Sequence, residues 1–434
     1  MKHSVRLAAV LVASVVGIAP ASASAQMPLS VLDRARAAIL ADHLDEAERL
    51  LAATQEDLVD RNDLDFLRGT VALARGDYDS AIADFRAILA RDPSLNRVRL
   101  DLARVLFETE DYTAADHHFR VAAAAGLPPE VQQKVNQFLE EIKRRKRWDI
   151  DLSLGIAPDS NVNAATNAQK VTLYGLAFDL DNQSRKTSGV GFASSLGGSY
   201  QAELNPDTRW VVGGRLNDVD YAGGRFDDRT VSAYTGPRFL LGRASEVTLK
   251  AVGTRRWYGG QDYSWGAGGL VEGETTLTPR LRLSGSLAVE QMRYDQNSGA
   301  NGPVGALDVA VTYGLDATSL IRVDAALMRE QARQSPYRDT QYFVGATYYR
   351  ELPWGFGINL GANADLALYD SPMAAFGVTR RDLTVNFRAA LSNRTIDLFG
   401  FTPVIAYVHT DRSSNINLFG FDRDRVEITM TRNF

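Results

Sequence analysis

The sequence predicts two parts in series. An all-α domain of paired-helix repeats comes first, and an all-β antiparallel barrel of about fourteen membrane-spanning strands follows. Three observations carry this reading. Like residues recur at a spacing of 34 between Leu44 and Phe119, and a fixed period of that size marks a repeat array. After Trp148 the apolar residues switch to period two, which is the spacing of half-buried strands. Short and long connections then alternate to the end of the chain, as they do in outer-membrane barrels.

Composition narrows the function before any motif is considered. With 45% hydrophobic and 23% charged residues among 434, the chain is neither disordered nor a bundle of membrane helices. It has no cysteine, which excludes a disulfide framework, a thiolate metal site, a cysteine nucleophile and a lipid anchor of its own. A net charge of −5 argues against nucleic acid as a partner, since that affinity comes mainly from neutralising phosphates. Five histidines offer little to a metalloenzyme.

Residues 1–25 form an export signal. Lys2, His3 and Arg6 make the basic start, Leu7 to Ala19 the apolar core, and Ala23-Ser24-Ala25 the small residues before a cleavage site. Cleavage between Ala25 and Gln26 is expected. The apolar core is too short to span ~30 Å of hydrocarbon, and no later stretch reaches the length of a membrane helix. Any later contact with a membrane must be made by strands.

Residues 28–147 read as three helical hairpins and a capping helix. Leu44, Tyr78 and Tyr112 share one register, Ala47, Ala81 and Ala115 a second, and Leu51, Phe85 and Phe119 a third. The small residues let paired helices approach, and the large ones fill the groove between neighbouring hairpins. About three such repeats are needed to bury a continuous core. Gly76-Asp77-Tyr78 and Glu110-Asp111-Tyr112 supply the turns, and Asp92-Pro93 ends a helix because proline has no N–H to continue it. Gly69, Ala81, Phe85 and Pro93 in this register resemble the tetratricopeptide consensus. A last helix follows Pro128-Pro129, with Val131, Val135, Phe138, Leu139 and Ile142 on one face, and caps the array.

That helix ends in Lys143-Arg144-Arg145-Lys146-Arg147. Two readings stay open: cations that complement the helix dipole, or a contact with anionic headgroups. His117 and His118 are adjacent, so they cannot share one metal, and they read as part of a solvated helix face.

Residues 148–434 alternate throughout. Leu281, Leu283, Leu287 and Val289 oppose Arg282, Ser284, Ser286 and Glu290. Leu383, Val385, Phe387 and Leu391 oppose Asp382, Thr384, Asn386 and Arg388. The apolar sets are expected to face lipid and the polar sets the lumen. Short turns fall near Asn205-Pro206-Asp207, Gly242-Arg243, Thr278-Pro279, Leu315-Asp316, Pro353-Trp354 and Asp397. Longer polar loops are expected at residues 158–187, 295–303, 330–339 and 369–380. An even strand number puts both ends of the barrel on the periplasmic side. Aromatic pairs such as Trp257-Tyr258, Tyr348-Tyr349, Trp354 with Phe356, and Phe399 with Phe401 are expected in the interfacial girdles.

The last strand places Val426, Ile428, Met430 and Phe434 on one face against Glu427, Thr429 and Asn433. An open strand edge in lipid leaves backbone groups unsatisfied, so this strand must close on the one that begins near Trp148. Its C-terminal aromatic is similar to the signal that barrel-assembly machinery engages.

Two motifs point to one family. Pro158-Asp159-Ser160-Asn161-Val162-Asn163 follows the first strand, and Arg412-Ser413-Ser414-Asn415-Ile416-Asn417 precedes the last. With Gly400-Phe401-Thr402-Pro403 and Arg425, they resemble the barrel of the surface lipoprotein assembly modifier family, also called type XI secretion. Residues 175–191 are similar to that barrel's first external loop. The resemblance implies an outer-membrane translocation factor, with a surface lipoprotein or related secreted protein as partner through the repeats and barrel. It implies no enzyme activity and no cofactor. Outer-membrane lipids are the remaining partner. A porin or polysaccharide-export pore with a periplasmic repeat domain is the alternative, and a scaffold anchored by the barrel is a third.

No catalytic or metal site emerges. Asp159, Asn161 and Asn163 imitate the start of a calcium loop, but Ala164 and Lys170 stand where glycine and glutamate are required. Turn and loop capping suits those side chains better. Gly189-Val190-Gly191 and Gly266-Ala267-Gly268-Gly269 lie in alternating stretches with no following helix, so they are not phosphate loops. His409 and Asp411 share a face, yet no serine stands in a nucleophile context beside them.

Overall fold

The computed structural model describes residues 30–181, 184–242, 244–396 and 398–433. The signal segment with Ala25 and Gln26, the turn residues Arg243 and Asp397, and Phe434 lie outside the described residues.

Among the described residues seven α-helices precede the strands: α1 (Val31–Leu40), α2 (Leu44–Ala52), α3 (Arg61–Arg75), α4 (Tyr78–Arg91), α5 (Asn96–Glu108), α6 (Tyr112–Ala124) and α7 (Pro129–Arg145). Capping explains where they start. Ser30, Asp60, Asp77 and Asp111 accept from the backbone N–H three residues on, satisfying donors that a helix start leaves free. Gly76 closes α3 with φ 79°, a conformation that costs glycine little. Leu44, Tyr78 and Tyr112 each open the second helix of a hairpin. Ala47, Ala81 and Ala115 are fully buried, and Leu51, Phe85 and Phe119 fill the spaces between hairpins. A Cβ on Gly69 would lie 2.8 Å from the Phe85 ring, so the repeat pattern needs glycine there for packing. Val135 and Ile142 of α7 complete the core over α5 and α6.

Fourteen strands close the barrel. β1 (Trp148–Asp159) is followed by a two-strand hairpin within the first outer loop, β2 (Lys170–Leu173) and β3 (Leu176–Asp179). The wall continues with β4 (Gly189–Asn205), β5 (Thr208–Tyr221), β6 (Asp228–Leu241), β7 (Ser245–Tyr258), β8 (Gln261–Thr278) and β9 (Leu281–Tyr294). Next come β10 (Gly302–Gly314), β11 (Ser319–Glu330), β12 (Asp339–Glu351) and β13 (Phe356–Met373). The last three are β14 (Val378–Asn393), β15 (Thr402–Ser414) and β16 (Phe421–Asn433). Every neighbour pairs antiparallel, and β16 closes on β1 with Ile428 opposite Ile156 and Asn433 opposite Asp151.

The strands run from 12 to 18 residues, whereas ~9–11 suffice to cross a bilayer. The wall therefore rises beyond the hydrocarbon. Leu287, Val289, Leu383, Phe387 and Leu391 face outward and are exposed. Inside, Arg215 donates to Asp151 at 2.7 Å, Arg388 to Glu427 at 2.7 Å and Lys250 to Glu272 at 2.5 Å. The lumen is polar and cross-linked by ion pairs.

Two expectations need correction. The alternation of short and long connections is weaker than the sequence implied. Residues 369–380 are mostly strand, with Pro372 opposite Thr379 and Met373 opposite Val378, and the outer β7–β8 turn is only Gly259-Gly260, at φ 57° and 73°. Above the membrane a polar hairpin keeps its ladder, because water tolerates either face. The aromatic pairs also split. Neighbouring residues in a strand point to opposite faces, so Tyr348 faces lipid with Leu360 while Tyr349 turns inward to Arg394.

Candidate functional site

The repeat domain sits on one mouth of the barrel, and the interface is built around one carboxylate. Glu351 ends β12 and is 7% exposed. Arg99 of α5, 1% exposed, reaches it at 2.7 Å and also donates to the Pro93 carbonyl at 2.5 Å. Arg394, in the β14–β15 turn, donates to the other carboxylate oxygen at 2.6 Å. His117 Nε2 lies 3.4 Å from that same oxygen, and His118 Nδ1 lies 3.4 Å from Arg99. Two guanidinium groups on one buried carboxylate offset its desolvation.

His117 and His118 are thus not on a free helix face but engaged with the barrel mouth, although the His117 side chain keeps 39% of its surface exposed. Helix α6 carries both toward the barrel, and burial holds both imidazoles below their usual range, most strongly at His118. At His117 the hydrogen bond with Glu351 opposes burial, whereas Arg394 and Arg99 reinforce it. A cavity of about 230 Å³ opens beside them, lined by Arg120, Arg280, Arg282, Tyr349 and Glu351 among others.

Proton linkage fixes the sign of the pH response. Freed from the mouth, the rings return toward ~6.5, so the released state binds more protons than the docked one in that range. Docking is then fully stable above the ordinary histidine pKa and weakens as pH falls through it. A photo-activated cross-linker carried on Arg280→Cys, whose capture of position 125 does not depend on thiolate, reports this directly, because Arg280 reaches the Ala125 carbonyl at 3.4 Å. Its yield should drop between pH 7.5 and about pH 5.5.

Small residues let α6 seat closely. Gly314, at the end of β10, leaves room for Ala124: a Cβ there would lie 2.5 Å from the Ala124 Cβ. Gly314→Leu should lift α6 off the turn and lower the same cross-link, while the barrel still resists heating in detergent gels.

Helix α7 makes a second attachment. Lys143 pairs with Glu246 of β7 at 3.2 Å, and Glu246 also takes Arg238 at 2.7 Å. Arg144 and Arg145 pair with Glu140 and Glu141 one turn back, and Lys146 with Asp149. Four of the five clustered cations therefore have acidic partners within the chain.

The two sequence motifs stand at the opposite end of the barrel. Asp159 is buried and takes Arg423 of β16, at 2.8 Å from Nε, together with the Tyr221 hydroxyl at 3.2 Å. Asn161, fully buried, donates to the carbonyls of Ala165 and Asp422 at 2.9 Å and accepts from the Ala165 N–H. Ser160 exchanges two bonds with the Asp424 backbone, and Asn163 holds the returning loop through Arg185 and Thr187. Pro158 remains in the β1–β4 ladder opposite Val190. In the second motif Ser414 accepts from the Ile416 N–H, and Asn415 pins the loop to Thr379 and Arg381 of β14. Both motifs fasten outer loops across β14–β16 and β1. On β16, Val426, Ile428 and Met430 occupy alternate positions opposite Tyr407, Ile405 and Pro403.

Sequence reasoning missed Arg99, Glu351 and Arg394. One signal was present: Asp65 and Arg99 are 34 apart, so two charges share a repeat register that Val31 fills in the first repeat. Asp65 is buried as well and takes Arg91 at 2.6 Å. No group of three or more His, Asp or Glu among the described residues is placed to hold a metal ion.

The closed antiparallel barrel with an apolar outer belt, a polar lumen and a helical-repeat domain at one mouth defines an outer-membrane barrel protein with a repeat appendage. Residues 148–434 match the family described as surface lipoprotein assembly modifier, and residues 27–119 match its N-terminal tetratricopeptide repeats. The chain belongs to that family. It is 22% identical over 377 residues to surface lipoprotein assembly modifier 1 of Neisseria meningitidis, covering 85% of this chain and 75% of that one. It is also 22% identical over 402 residues to the hemophilin secretion modulator of Acinetobacter baumannii, covering 86% and 79%. Among solved structures, a Pseudomonas aeruginosa FadL homologue aligns over 72% of this chain and 93% of its own, with 7% identity and a TM-score of 0.38.

Proposed function

We propose that this protein is an outer-membrane translocation factor that helps selected lipoproteins or related secreted proteins reach the cell surface. The signal segment is removed after Ala25, barrel-assembly machinery recognises the terminal strand, and the repeat domain works in the periplasm. The observation that carries the reading is the seating of the repeat array on the barrel mouth through Arg99, Glu351 and Lys143. Stacked hairpins offer an extended binding surface, and here that surface stands at the entrance of a polar lumen. The two named relatives supply the cargo class.

The test compares proteins shaved from intact cells by protease. Strains would carry the full chain, no chain, or the chain lacking residues 28–127 with its signal kept. A small set of surface proteins should vanish without the chain and fall sharply without the repeats, at equal barrel abundance. An unchanged surface proteome in the null strain would reject the function. Undiminished display by the repeat-less barrel would reject the role given to the repeats.

A further inference from the structure

The outward face of the barrel is not uniformly apolar. Following the strand register around the closing seam, one cross-strand row reads Leu391, Ile405, Ile428, Ile156 and Phe192. All five are apolar, and the row ends at Asp220 of β5, opposite Phe192. The next row outward reads Ala389, Tyr407 and Val426. Then the belt breaks. Phe387 stands beside His409 and Asp424, and Val385 beside Asp411 and Asp422. Phe387 is 55% exposed and Val190, beyond the seam, is 59% exposed, so apolar surface flanks the polar residues on both sides.

These polar groups are organised. Asp424 accepts from the Tyr407 hydroxyl at 2.6 Å and pairs with His409 Nδ1 at 2.8 Å. Lys186, from the first outer loop, pairs with Asp422 at 2.5 Å. A groove of about 440 Å³ beside them is lined by Pro158, Ser160, Val190, Asp424 and Val426. The seam ladder has one local gap just below this level, and Ser160, Asp159 and Asn161 tie it again to Asp424, Arg423 and Asp422. The β1–β16 ladder is made at Ile156–Ile428 and at Asp159–Arg425, but is open between them at Ala157 and Pro158, where proline has no N–H to give.

We propose that this notch on β15 and β16 holds lipid headgroups and water, so that the outer leaflet is thinned at the closing seam. Charged side chains on the lipid face are costly at depth, whereas a bilayer yields to mismatch at a small cost per ångström. The leaflet therefore dips to meet His409, Asp411 and Asp424. The occupant follows from charge and position: an acidic and imidazole cluster between two apolar flanks fits a hydrated headgroup layer and not an acyl chain. The inference needs no cargo. Its link to translocation, a locally thinned bilayer beside which a polar chain could leave the barrel, rests on the function proposed above.

The test uses the full-length protein in phosphatidylcholine vesicles. The chain has no native cysteine, so single nitroxide labels at Val426→Cys and Phe192→Cys report local depth. Strand tilt brings these positions, two strands apart, to about the same height. The Val426 label should be several-fold more accessible to a water-soluble nickel reagent than the Phe192 label. In a His409→Leu/Asp411→Leu background the difference should vanish, and the chain length giving greatest resistance to thermal unfolding should move to longer lipids. Equal accessibility of the two labels in the otherwise native protein overturns the proposal, and this comparison stands even if the double variant fails to fold. Spin–spin broadening between Val426 labels would show that a second copy covers the notch, which also overturns it. Normal thinning with no change in surface proteins would leave the notch intact and count against the translocation reading alone.

Discussion

Glu351→Ala is expected to release the repeat domain from the barrel. The carboxylate is the shared partner of Arg99, Arg394 and His117, and Arg99 is almost wholly buried. Removing one member of a buried ion pair leaves the other charge uncompensated and costs ~3–5 kcal/mol. That corresponds to a loss of about two to three and a half orders of magnitude in the docking equilibrium. The cross-link between positions 125 and 280 should fall to background, and protease should cut near residue 147 faster than in the parent. Helical circular dichroism should stay the same, because the repeat core is formed within the repeat domain by Phe85, Leu102, Leu106 and Phe119, and the substitution removes none of them. Glu351→Gln, which keeps hydrogen-bond acceptance but not charge, should fall between the two. An unchanged cross-link in Glu351→Ala would place the docking energy elsewhere, in the Lys143–Glu246 contact or the Ala124–Gly314 seat.

The second large effect concerns the register of the wall. Leu287→Arg should be poorly tolerated and Ser286→Arg well tolerated, although the two positions are adjacent. Leu287 is 52% exposed on the outer face, opposite Leu307 and Val271. An arginine near the midplane on that face costs ~2–4 kcal/mol. Ser286 faces the lumen beside Glu272, Glu274 and Asp308, where a guanidinium gains acidic partners. Outer-membrane abundance and heat-modifiability on gels measure both. Equal tolerance would mean that the strand is shifted by one residue, since such a slip turns every side chain to the other face.

Much of this was legible in the sequence because it depends on local periodicity. The 34-residue spacing of Ala47, Ala81 and Ala115 requires helix pairs, and alternation such as Leu383, Val385 and Phe387 against Thr384 and Asn386 requires strands with one lipid face. The identity of a side chain at each period is enough to decide its environment, so fold class, strand number and inward or outward facing followed directly. The local bonds of Asn161 to Ala165 and of Asn163 to Arg185 and Thr187 are of the turn and loop-capping kind expected, whereas the Asp159–Arg423 pair and the Asn161 bond to Asp422 join β1 to β16 across the chain and had no local signal.

What the tertiary structure alone decided are the contacts between residues far apart in the chain. Arg99 and Glu351 are 252 positions apart, and neither spacing nor composition links them. A charged residue reads as solvated until its partner is known, which is why His117 and His118 were misplaced on an open face. The polar notch is hidden similarly. His409, Asp411, Asp422 and Asp424 each look like ordinary loop-proximal residues on their own strands. Only the register of β14, β15, β16, β1 and β4 lines them up beside Phe387 and near Val190, and register between strands is set by closure of the whole barrel, a global constraint that no single segment encodes.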